Sequence, residues 1–527
     1  MQKFNFFIMI RYFNIAGPCN REEHYMIDAS SRLNGVEQLI DMKQYFVIHA
    51  ARQSGKTTYL KDLTQRLNAS GKYYALYCSL ESLQKFEDVK EGIPEIVKLL
   101  QKIIFFSDIP NKQEFAKNAD YSYISGVLNM SLSLFCMKLD KPLVILFDEV
   151  DCLREDTLIT FLRQLREGYN SRNDIPFVHS VALVGMRNIR DYKARGRPDS
   201  QSLGSTSPFN IVTETLTLKN FTKEEITSLY MQHTEVTGQI FEQDAIDLVY
   251  EQTQGQPWLV NAVVREVIVK MLQSDYTQPV TAPLVNEAIQ TIILRRDTHI
   301  DSLLERLKED RVRRVIEPIL YGESFFDRLS DDYQYVIDLG LIKSIEGKIQ
   351  PSNPIYGEVI ARTLSHDAQE KFILEKPDAT LPRYLKDGKI DMDYLLQDFQ
   401  QFWRENSAIW VEKFYYKEAA PHLILMAFLQ RILNGGGQIL REMAAGTGFT
   451  DLCIVYQDNK YPIELKIRRG DKSVADGITQ TIRYMDTFGC SEGWLAVFDQ
   501  RQNISWDDKI YIKKEAIDGK TITVVGL

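Results

Sequence analysis

The sequence predicts an α/β protein with a mainly parallel sheet in its N-terminal half. Short apolar runs alternate with longer amphipathic stretches from Arg11 to about Ser205, which is typical of strands that alternate with helices. A Gly-Lys-Thr loop follows the first of these strands, and a later apolar strand ends in two acidic residues. Strands that are apolar throughout are buried on both faces of a sheet.

Length and composition set the broad class. A chain of 527 residues is too long for one ordinary core, and three or four domains are expected. The 44% hydrophobic and 26% charged content is that of a globular protein. The formal net charge of -9 argues against a chain that coats nucleic acid non-specifically, although a local basic groove remains compatible with it.

Cysteine spacing and hydropathy indicate the compartment. The six cysteines include no C-x-x-C pair, so neither a disulfide framework nor a zinc site is indicated and a reducing cytoplasm fits best. The N-terminal run MQKFNFFIMI is too short to span a membrane and lacks a cleavage site. It is either a hydrophobic strand or the product of an upstream start codon, with Met9 as the first residue. We expect no membrane partner.

The apolar runs predict individual strands and five segments. The expected strands are Gln44–Ala50, Tyr73–Leu80, Pro142–Asp151 and His179–Gly185. The segments are a phosphate-binding core at 11–205, a helical lid at 206–300, a winged helix at 301–364, a linker at 365–389 and a last α/β domain at 390–527. Two helices, a short hairpin around Glu346 and a closing helix suggest the winged helix, and Pro377 and Pro382 mark the linker.

The loop after the first strand predicts a nucleotide site. Ala50 to Thr57 fits G-x-x-x-x-G-K-[ST] except that Ala50 replaces the first glycine. Such a loop wraps backbone N–H groups around phosphates, while Lys56 neutralises them and Thr57 offers a hydroxyl to Mg²⁺. The predicted nucleotide-binding residues are Arg52, Gln53, Ser54, Gly55, Lys56, Thr57, Thr58 and Asp148.

The acidic end of the third strand completes this site. A carboxylate at the carboxyl edge of the sheet would lie next to the metal, so we expect Asp148 to hold Mg²⁺ and Glu149 to polarise the attacking water. The alternative is a surface acidic turn that continues to Asp151. Two weaker signals follow: Arg187 or Asn188 would sense the terminal phosphate, or form a solvated turn, and Gly255-Gln256-Pro257 would begin a lid helix facing the nucleotide or serve as a structural turn.

These residues together resemble the AAA-like, STAND-related ATPases of bacteria and archaea. The resemblance covers about Arg11 to Leu364 and is carried by RYFNIAGPCNREEHYMI, HAARQSGKTTYL and GQPWLVNAVVRE. It implies a P-loop core, a helical lid with a G-x-P turn, a winged helix, ATP and magnesium. It does not imply a cellular role.

The last domain contains a second constellation of charged residues. GGGQILREMAAGTGFTDLCIVYQDNKYPIELKI indicates three adjacent strands. On a strand, residues two apart share a face, so Glu464 and Lys466 project together, and a hairpin around Asn459 brings Asp451 beside Glu464. Two carboxylates and a lysine are the groups of a metal-dependent phosphodiesterase, with Asp451 and Glu464 as metal ligands and Lys466 orienting or deprotonating a water. An exposed strand with alternating charges is the alternative.

This constellation resembles the PD-(D/E)xK nuclease superfamily. Gln480 and Tyr484 match a Q-x-x-x-Y element of some branches, and Glu418 or Glu442 would supply the additional glutamate. Phe449 stands where related sequences often have an arginine, which leaves open an active nuclease using Mg²⁺ or Mn²⁺ and a degenerate, binding-only module.

Two functional hypotheses follow. In the first, ATP binding and hydrolysis control when the nuclease-like domain acts on DNA or RNA. In the second, the chain is a nucleotide-gated signalling or scaffold protein. The winged helix would contact DNA or a protein partner in either case, and oligomerisation with arginine fingers in trans is left open.

Overall fold

The computed structural model describes most of the chain, in two compact units. It describes residues 11–28, 32–117, 119–185, 211–295, 305–319, 331–345, 348–360, 363, 381–411, 420–433, 438–441, 451–468, 472–499, 501 and 504–527. The N-terminal unit comprises Met1–Arg295 with Ile337–Leu341, and the C-terminal unit comprises Arg296–Val336 with Ile342–Leu527.

A five-stranded parallel sheet forms the centre of the N-terminal unit. Its order is β2-β3-β4-β1-β5, and every pair of neighbours is parallel. The strands are β1 (Tyr45–His49), β2 (Tyr74–Ser79), β3 (Leu143–Asp148), β4 (Ser180–Gly185) and β5 (Val212–Thr217). The predicted α/β class with a parallel sheet is therefore confirmed. The strand order places β1 between β4 and β5, so the loop that follows β1 lies at the carboxyl edge of the sheet, where the other parallel strands also end.

Helices cover both faces of this sheet. They are α1 (Val36–Asp41), α2 (Lys56–Ala69), α3 (Val89–Phe106), α4 (Val127–Cys136) and α5 (Glu155–Ser171). Alternate residues of β3 enter different cores: Val144 and Leu146 pack with residues of α1 and α2, whereas Ile145 and Phe147 pack with residues of α3, α4 and α5. Burial on both faces explains why the strand is apolar throughout.

The fifth strand corrects one predicted boundary. We placed the end of the core at residue 205 and assigned 206–300 to a helical lid, but β5 at Val212–Thr217 is part of the core sheet. Its sequence, VTETLT, is polar at alternate and neighbouring positions because an edge strand is only partly buried. It therefore lacks the continuous apolar run by which the other strands were found.

Helices follow β5 in the N-terminal unit. They are α6 (Lys223–Thr237), α7 (Gln243–Thr253), α8 (Pro257–Arg265, continued by a π-helical turn at Glu266–Met271) and α9 (Ala282–Arg295). A capping box between Thr222 and Glu225 begins α6. Pro257 occupies the first turn of α8, where its missing N–H has no intrahelical partner to lose.

The C-terminal unit begins with short elements. Helix α10 spans Asp310–Ile319, helix α11 spans Asp331–Asp338, and β6 (Ile342–Ile345) pairs antiparallel with β7 (Lys348–Pro351). Residues 354–360 are helical. The winged-helix prediction for 301–364 was based on this order of helices, hairpin and closing helix. The winged helix remains a prediction.

A six-stranded mixed sheet forms the rest of this unit. Its order is β10-β11-β12-β13-β15-β14, preceded along the chain by a small hairpin of β8 (Leu385–Lys386) and β9 (Lys389–Ile390). The strands are β10 (Gln438–Arg441), β11 (Asp451–Tyr456), β12 (Asn459–Arg468), β13 (Glu492–Asp499), β14 (Tyr511–Ile517) and β15 (Lys520–Gly526). The helices are α12 (Met392–Val411), α13 (Ala420–Leu433), α14 (Lys472–Phe488) and α15 (Trp506–Lys509).

In the described part of the chain, no helix combines the length and the apolar composition that a bilayer-spanning helix requires.

Candidate nucleotide site

The loop between β1 and α2 has the backbone geometry of an anion-binding turn. Gly55 precedes α2 with a φ of 86°, and Gln53 also has a positive φ of 57°. No side chain caps the helix, so its first backbone N–H groups face the space where an anion would bind. A side chain at position 55 would be strained by this φ and would bring Cβ to 3.3 Å from Arg32 Nη1.

Lys56 is buried beside Glu149, the acidic residue that follows β3. Its side chain is 6% exposed, and Nζ lies 3.4 Å from Glu149 Oε1. A lysine buried this deeply requires a negative partner, which Glu149 supplies. The two residues are far apart in sequence, yet the parallel sheet brings the ends of β1 and β3 to the same edge.

Asp148 is held by hydrogen bonds at the end of β3. It is 1% exposed, and its Oδ2 accepts hydrogen bonds from the Thr57 hydroxyl at 2.9 Å and the Tyr77 hydroxyl at 3.0 Å. Its Oδ1 accepts one from the backbone N–H of Glu149 at 3.0 Å. Burial raises the pKa of Tyr77, and Asp148 raises it further, so the phenol stays protonated and donates. The carboxylate is thus oriented towards Thr57.

Glu149 has a left-handed backbone conformation and a carboxyl group with a raised pKa. Its φ is +55°, a conformation that non-glycine residues rarely adopt and that often marks a functional site. Burial raises the pKa of its carboxyl above the ordinary 4.5, Lys56 opposes the rise, and Asp151 and Asp148 add to it. A carboxylate with a raised pKa accepts a proton more readily near neutral pH.

A cavity of about 500 Å³ adjoins these groups. Its lining includes residues of the loop and the acidic residue, namely Gln53, Gly55, Lys56, Thr57 and Glu149. It also includes a set of apolar residues from other segments: Ile15, Met26, Ile27, Phe221, Leu229, Pro257 and Trp258. This volume and this combination of charged and apolar lining suit a nucleotide.

Hydrogen bonds join the walls of the cavity to each other. Trp258 Nε1 donates to Ile15 O at 2.8 Å, and Gln256 Nε2 donates to Gln53 O at 3.3 Å. The backbone N–H of Cys19 donates to Thr58 Oγ1 at 3.0 Å. The N-terminal strap, which we define as residues 11–28, is therefore tied to both α2 and α8.

Arg32 is a cavity residue that the sequence analysis missed. It is 5% exposed, its Nη2 donates to Ser54 O at 2.7 Å and to Lys219 O at 2.6 Å, and its guanidinium lies over the Phe221 ring. Burial lowers its pKa to about 10, which leaves it cationic. It fixes the loop to the chain segment after β5. An isolated arginine gives no local signal for such a contact, since Lys219 is 187 residues away.

More than half of the chain matches one protein-family profile. This profile, described as AAA-like domain, matches residues 22–361. The chain belongs to the AAA-like domain family. Its N-terminal unit is accordingly an AAA-like ATPase core.

Solved structures similar to this AAA-like protein are distant in sequence. A Walker-type ATPase of Pyrococcus abyssi is 14% identical, with 66% of this chain and 99% of that chain covered and a TM-score of 0.46. The Aeropyrum pernix ORC1 protein in complex with DNA is 13% identical, with 65% and 94% covered and a TM-score of 0.34. A Thermotoga maritima RuvB Holliday junction branch migration motor is 13% identical, with 63% and 92% covered and a TM-score of 0.33. No curated protein matches the chain significantly in sequence.

The C-terminal unit of the AAA-like protein brings three of the predicted nuclease positions onto neighbouring strands. Asp451 on β11 is directly opposite Glu464 on β12, and Lys466 Nζ lies 2.6 Å from Glu464 Oε1. Glu464 is 3% exposed, and its Oε2 has no hydrogen-bond partner. Gln480, one turn before Tyr484 on α14, also has a buried oxygen without a partner.

Five of the predicted residues lie outside the part of the chain that the structure describes: Arg187, Asn188, Glu418, Glu442 and Phe449. The side chain of Asp451 also lies outside it. Among the residues that are described, no group of three or more histidine, cysteine or acidic side chains is arranged to hold a metal ion.

Proposed function

We propose that this AAA-like protein binds ATP with Mg²⁺ in the 500 Å³ cavity and hydrolyses it. The loop Arg52–Thr58 would wrap the phosphates, and Lys56 would neutralise them. One observation carries the proposal: the cavity adjoins a Lys56–Glu149 pair at 3.4 Å and a Thr57–Asp148 hydrogen bond of 2.9 Å. Phosphoryl transfer to water requires a lysine in the loop, a hydroxyl group and two carboxylates, and this site has all four groups.

The oxygen donors fit a magnesium ion. Thr57 lines the cavity, and its Oγ1 lies 2.9 Å from the Asp148 carboxylate. Mg²⁺ prefers one or two protein oxygens together with phosphate oxygens. When bound, the ion would neutralise charge that develops on the phosphates. Tyr77 would keep Asp148 oriented through its hydrogen bond of 3.0 Å.

Glu149 is the group best suited to act on water. Its carboxylate lies at the cavity, next to Lys56, and its raised pKa favours proton acceptance. As ATP binds, Lys56 would transfer its interaction from Glu149 to the phosphates, which would leave the carboxylate available to orient and deprotonate the attacking water.

Replacement of Glu149 by glutamine tests hydrolysis separately from binding. Glu149→Gln keeps the size of the side chain but removes the base, so we expect ATP turnover to fall by about 10² to 10⁴ with little change in ATP affinity. Lys72→Ala, an exposed lysine just after α2, is the matched surface control. Turnover by Glu149→Gln equal to that of the parent chain would contradict the proposed role.

A metal-dependent nuclease site in the C-terminal unit is the second part of the proposal. It is supported by the register that opposes Asp451 to Glu464, by the Glu464–Lys466 contact, and by the buried, unpartnered oxygens of Glu464 and Gln480. Asp451 and Glu464 would hold Mg²⁺ or Mn²⁺, and Lys466 would orient or deprotonate the water. The substrate would be DNA or RNA. The binding-only module is the alternative.

Nucleic-acid cleavage by the full chain distinguishes these alternatives. We would incubate it with linear, circular and single-stranded DNA and with RNA, in Mg²⁺ or Mn²⁺, with and without ATP. We expect metal-dependent cleavage that Lys466→Ala abolishes and that Lys460→Ala, an exposed lysine on the same strand, retains. Equal cleavage by Lys466→Ala would exclude this centre, and no cleavage of any substrate would favour the binding-only module.

A further inference from the structure

Asn261 on α8 has a buried amide oxygen that nothing in the protein satisfies. The residue lines the nucleotide cavity and is 7% exposed. Its Nδ2 donates to the backbone oxygen of Asn14 at 2.8 Å. Its Oδ1 is buried and has no hydrogen-bond partner. Buried polar atoms are usually satisfied, so an unsatisfied one at a cavity indicates a ligand.

The orientation of this amide follows from its partner. The backbone oxygen of Asn14 is only an acceptor, so the NH₂ group of Asn261 must face it. The oxygen is therefore the atom left over, and a ligand that pairs with it must offer a hydrogen-bond donor.

Polar groups of the strap that line the cavity are already engaged. Ile15 O accepts from Trp258 Nε1 at 2.8 Å, and Asn14 Oδ1 accepts from the backbone N–H of Ala16 at 3.0 Å. The Tyr25 hydroxyl is 3.1 Å from His233 Nδ1. Gln53 Oε1 is also buried without a partner, but Gln53 belongs to the loop between β1 and α2. The apolar lining residues suit the faces of a planar ring, and Asn261 Oδ1 is the acceptor that α8 offers to the edge of that ring.

We propose that Asn261 selects adenine, by accepting a hydrogen bond at Oδ1 from the exocyclic amine of the base. This inference rests on the proposed function, because it assumes that the cavity binds a nucleoside triphosphate with its phosphates at Lys56. Hypoxanthine and guanine have a carbonyl oxygen where adenine has the amine. Two oxygens would then face each other and Oδ1 would stay unsatisfied, so both bases would bind more weakly.

Nucleotide analogues test the inference on the unmodified full chain by isothermal titration calorimetry. ATP, inosine triphosphate and purine riboside triphosphate share the phosphates and the ribose and differ at the position of the amine. We expect ATP to bind at least about tenfold more tightly than either analogue. 2′-Deoxy-ATP, which keeps the amine, should bind like ATP.

Variants assign the preference to this side chain. Asn261→Leu removes the acceptor at similar volume, and we expect its preference for ATP over inosine triphosphate to fall to about twofold or less. Gln232→Ala is the matched control. It removes both hydrogen bonds between α6 and the Met26 backbone, loosening the strap without removing a polar group from the cavity, and its preference should equal that of the parent chain.

The outcomes separate this inference from the proposed function. Binding of no triphosphate by the parent chain would overturn the proposed function itself. Equal affinity for ATP and purine riboside triphosphate, or a full preference retained in Asn261→Leu, would overturn only the role of Asn261. A selective loss with 2′-deoxy-ATP would assign the oxygen to the ribose and would also overturn it. The comparison of analogues needs no variant, so it decides the matter even if Asn261→Leu does not fold.

Discussion

Asp148 and Glu149 are neighbouring residues at the end of β3, but their side chains have different environments. Asp148 is fully buried, and hydrogen bonds from Thr57, Tyr77 and its own chain fix the orientation of its carboxylate. Glu149 is partly exposed, and burial together with Asp151 and Asp148 raises its pKa against the effect of Lys56. The difference supports separate proposed roles, as metal ligand and as base.

The pH dependence of ATP turnover tests the role of Glu149. Glu149 accepts a proton only when ionised, so turnover should fall as pH drops through its raised pKa. Asp151→Asn removes one cause of that rise, so we expect the acidic limb of the profile of kcat against pH to move to lower pH, by up to about one unit.

The control for this shift is an acidic residue on the exposed surface of α5. Asp156→Asn should leave the acidic limb unchanged. An acidic limb of Asp151→Asn that stays in place, or that moves to higher pH, would show that Glu149 is not the titrating group.

Sequence patterns identified the site residues that stand next to a recognisable strand, and missed those whose partners are far away along the chain. Lys56 and Thr57 follow an apolar strand directly, and Asp148 and Glu149 end another, so local pattern was enough to select them. Arg32 and Asn261 were missed because their partners are 187 and 247 residues away. An isolated arginine or asparagine carries no periodic signal that predicts such contacts.

Among the elements, the turn before α8 positions the residues of α8 that line the cavity. Gly255 has a φ of +69°, and its carbonyl accepts from the backbone N–H of Phe221 at 2.8 Å. A Cβ added to Gly255 would lie 1.9 Å from Phe221 O, a backbone atom that cannot move aside alone. Gln256, the next residue, contacts the loop through Gln53 O, and Pro257 after it lines the cavity.

Alanine at position 255 should therefore be costly. We expect Gly255→Ala to lower the free energy of unfolding of the N-terminal unit by about 3 kcal/mol, from the backbone clash and the strained φ together. Gly238→Ala is a matched control, since Gly238 has a similar φ of +78° but open space around it. It should cost only about 1 kcal/mol. Denaturant unfolding measures both, and equal losses would contradict the close packing of this turn.

Sequence patterns predicted some elements better than others. The four strands with continuous apolar runs were found with each end within three residues of its position in the structure, because such runs mark them. The edge strand β5 was missed, since its burial depends on β1 beside it and four of its six residues are exposed. The hairpin of β11 and β12 was predicted from its turn, and its register then opposed Asp451 to Glu464.

At the scale of the whole molecule, the chain joins an AAA-like core to a second α/β unit in one polypeptide. The order of the units supports the proposal that nucleotide state controls the nuclease-like site. It also makes the two sites separable, because Lys56 and Lys466 lie in different units and either can be replaced alone.

A variant of the nucleotide site should change activity at the other site. If ATP controls cleavage, Lys56→Ala in the full chain should make the rate of metal-dependent DNA or RNA cleavage independent of added ATP, whereas the parent chain should show at least a severalfold change. Lys72→Ala serves again as the control and should respond as the parent chain does. An equal ATP response in Lys56→Ala would mean that the two sites act independently.

The most direct test of the central claim is the affinity of the full chain for ATP in the presence of Mg²⁺, measured by isothermal titration calorimetry on the parent chain, Lys56→Ala and Lys72→Ala. Lys56 is buried beside Glu149 and lines the cavity, so its removal should weaken ATP binding about 100-fold, whereas the surface variant should bind normally. Absence of ATP binding by the parent chain, or equal affinity in Lys56→Ala, would contradict the account.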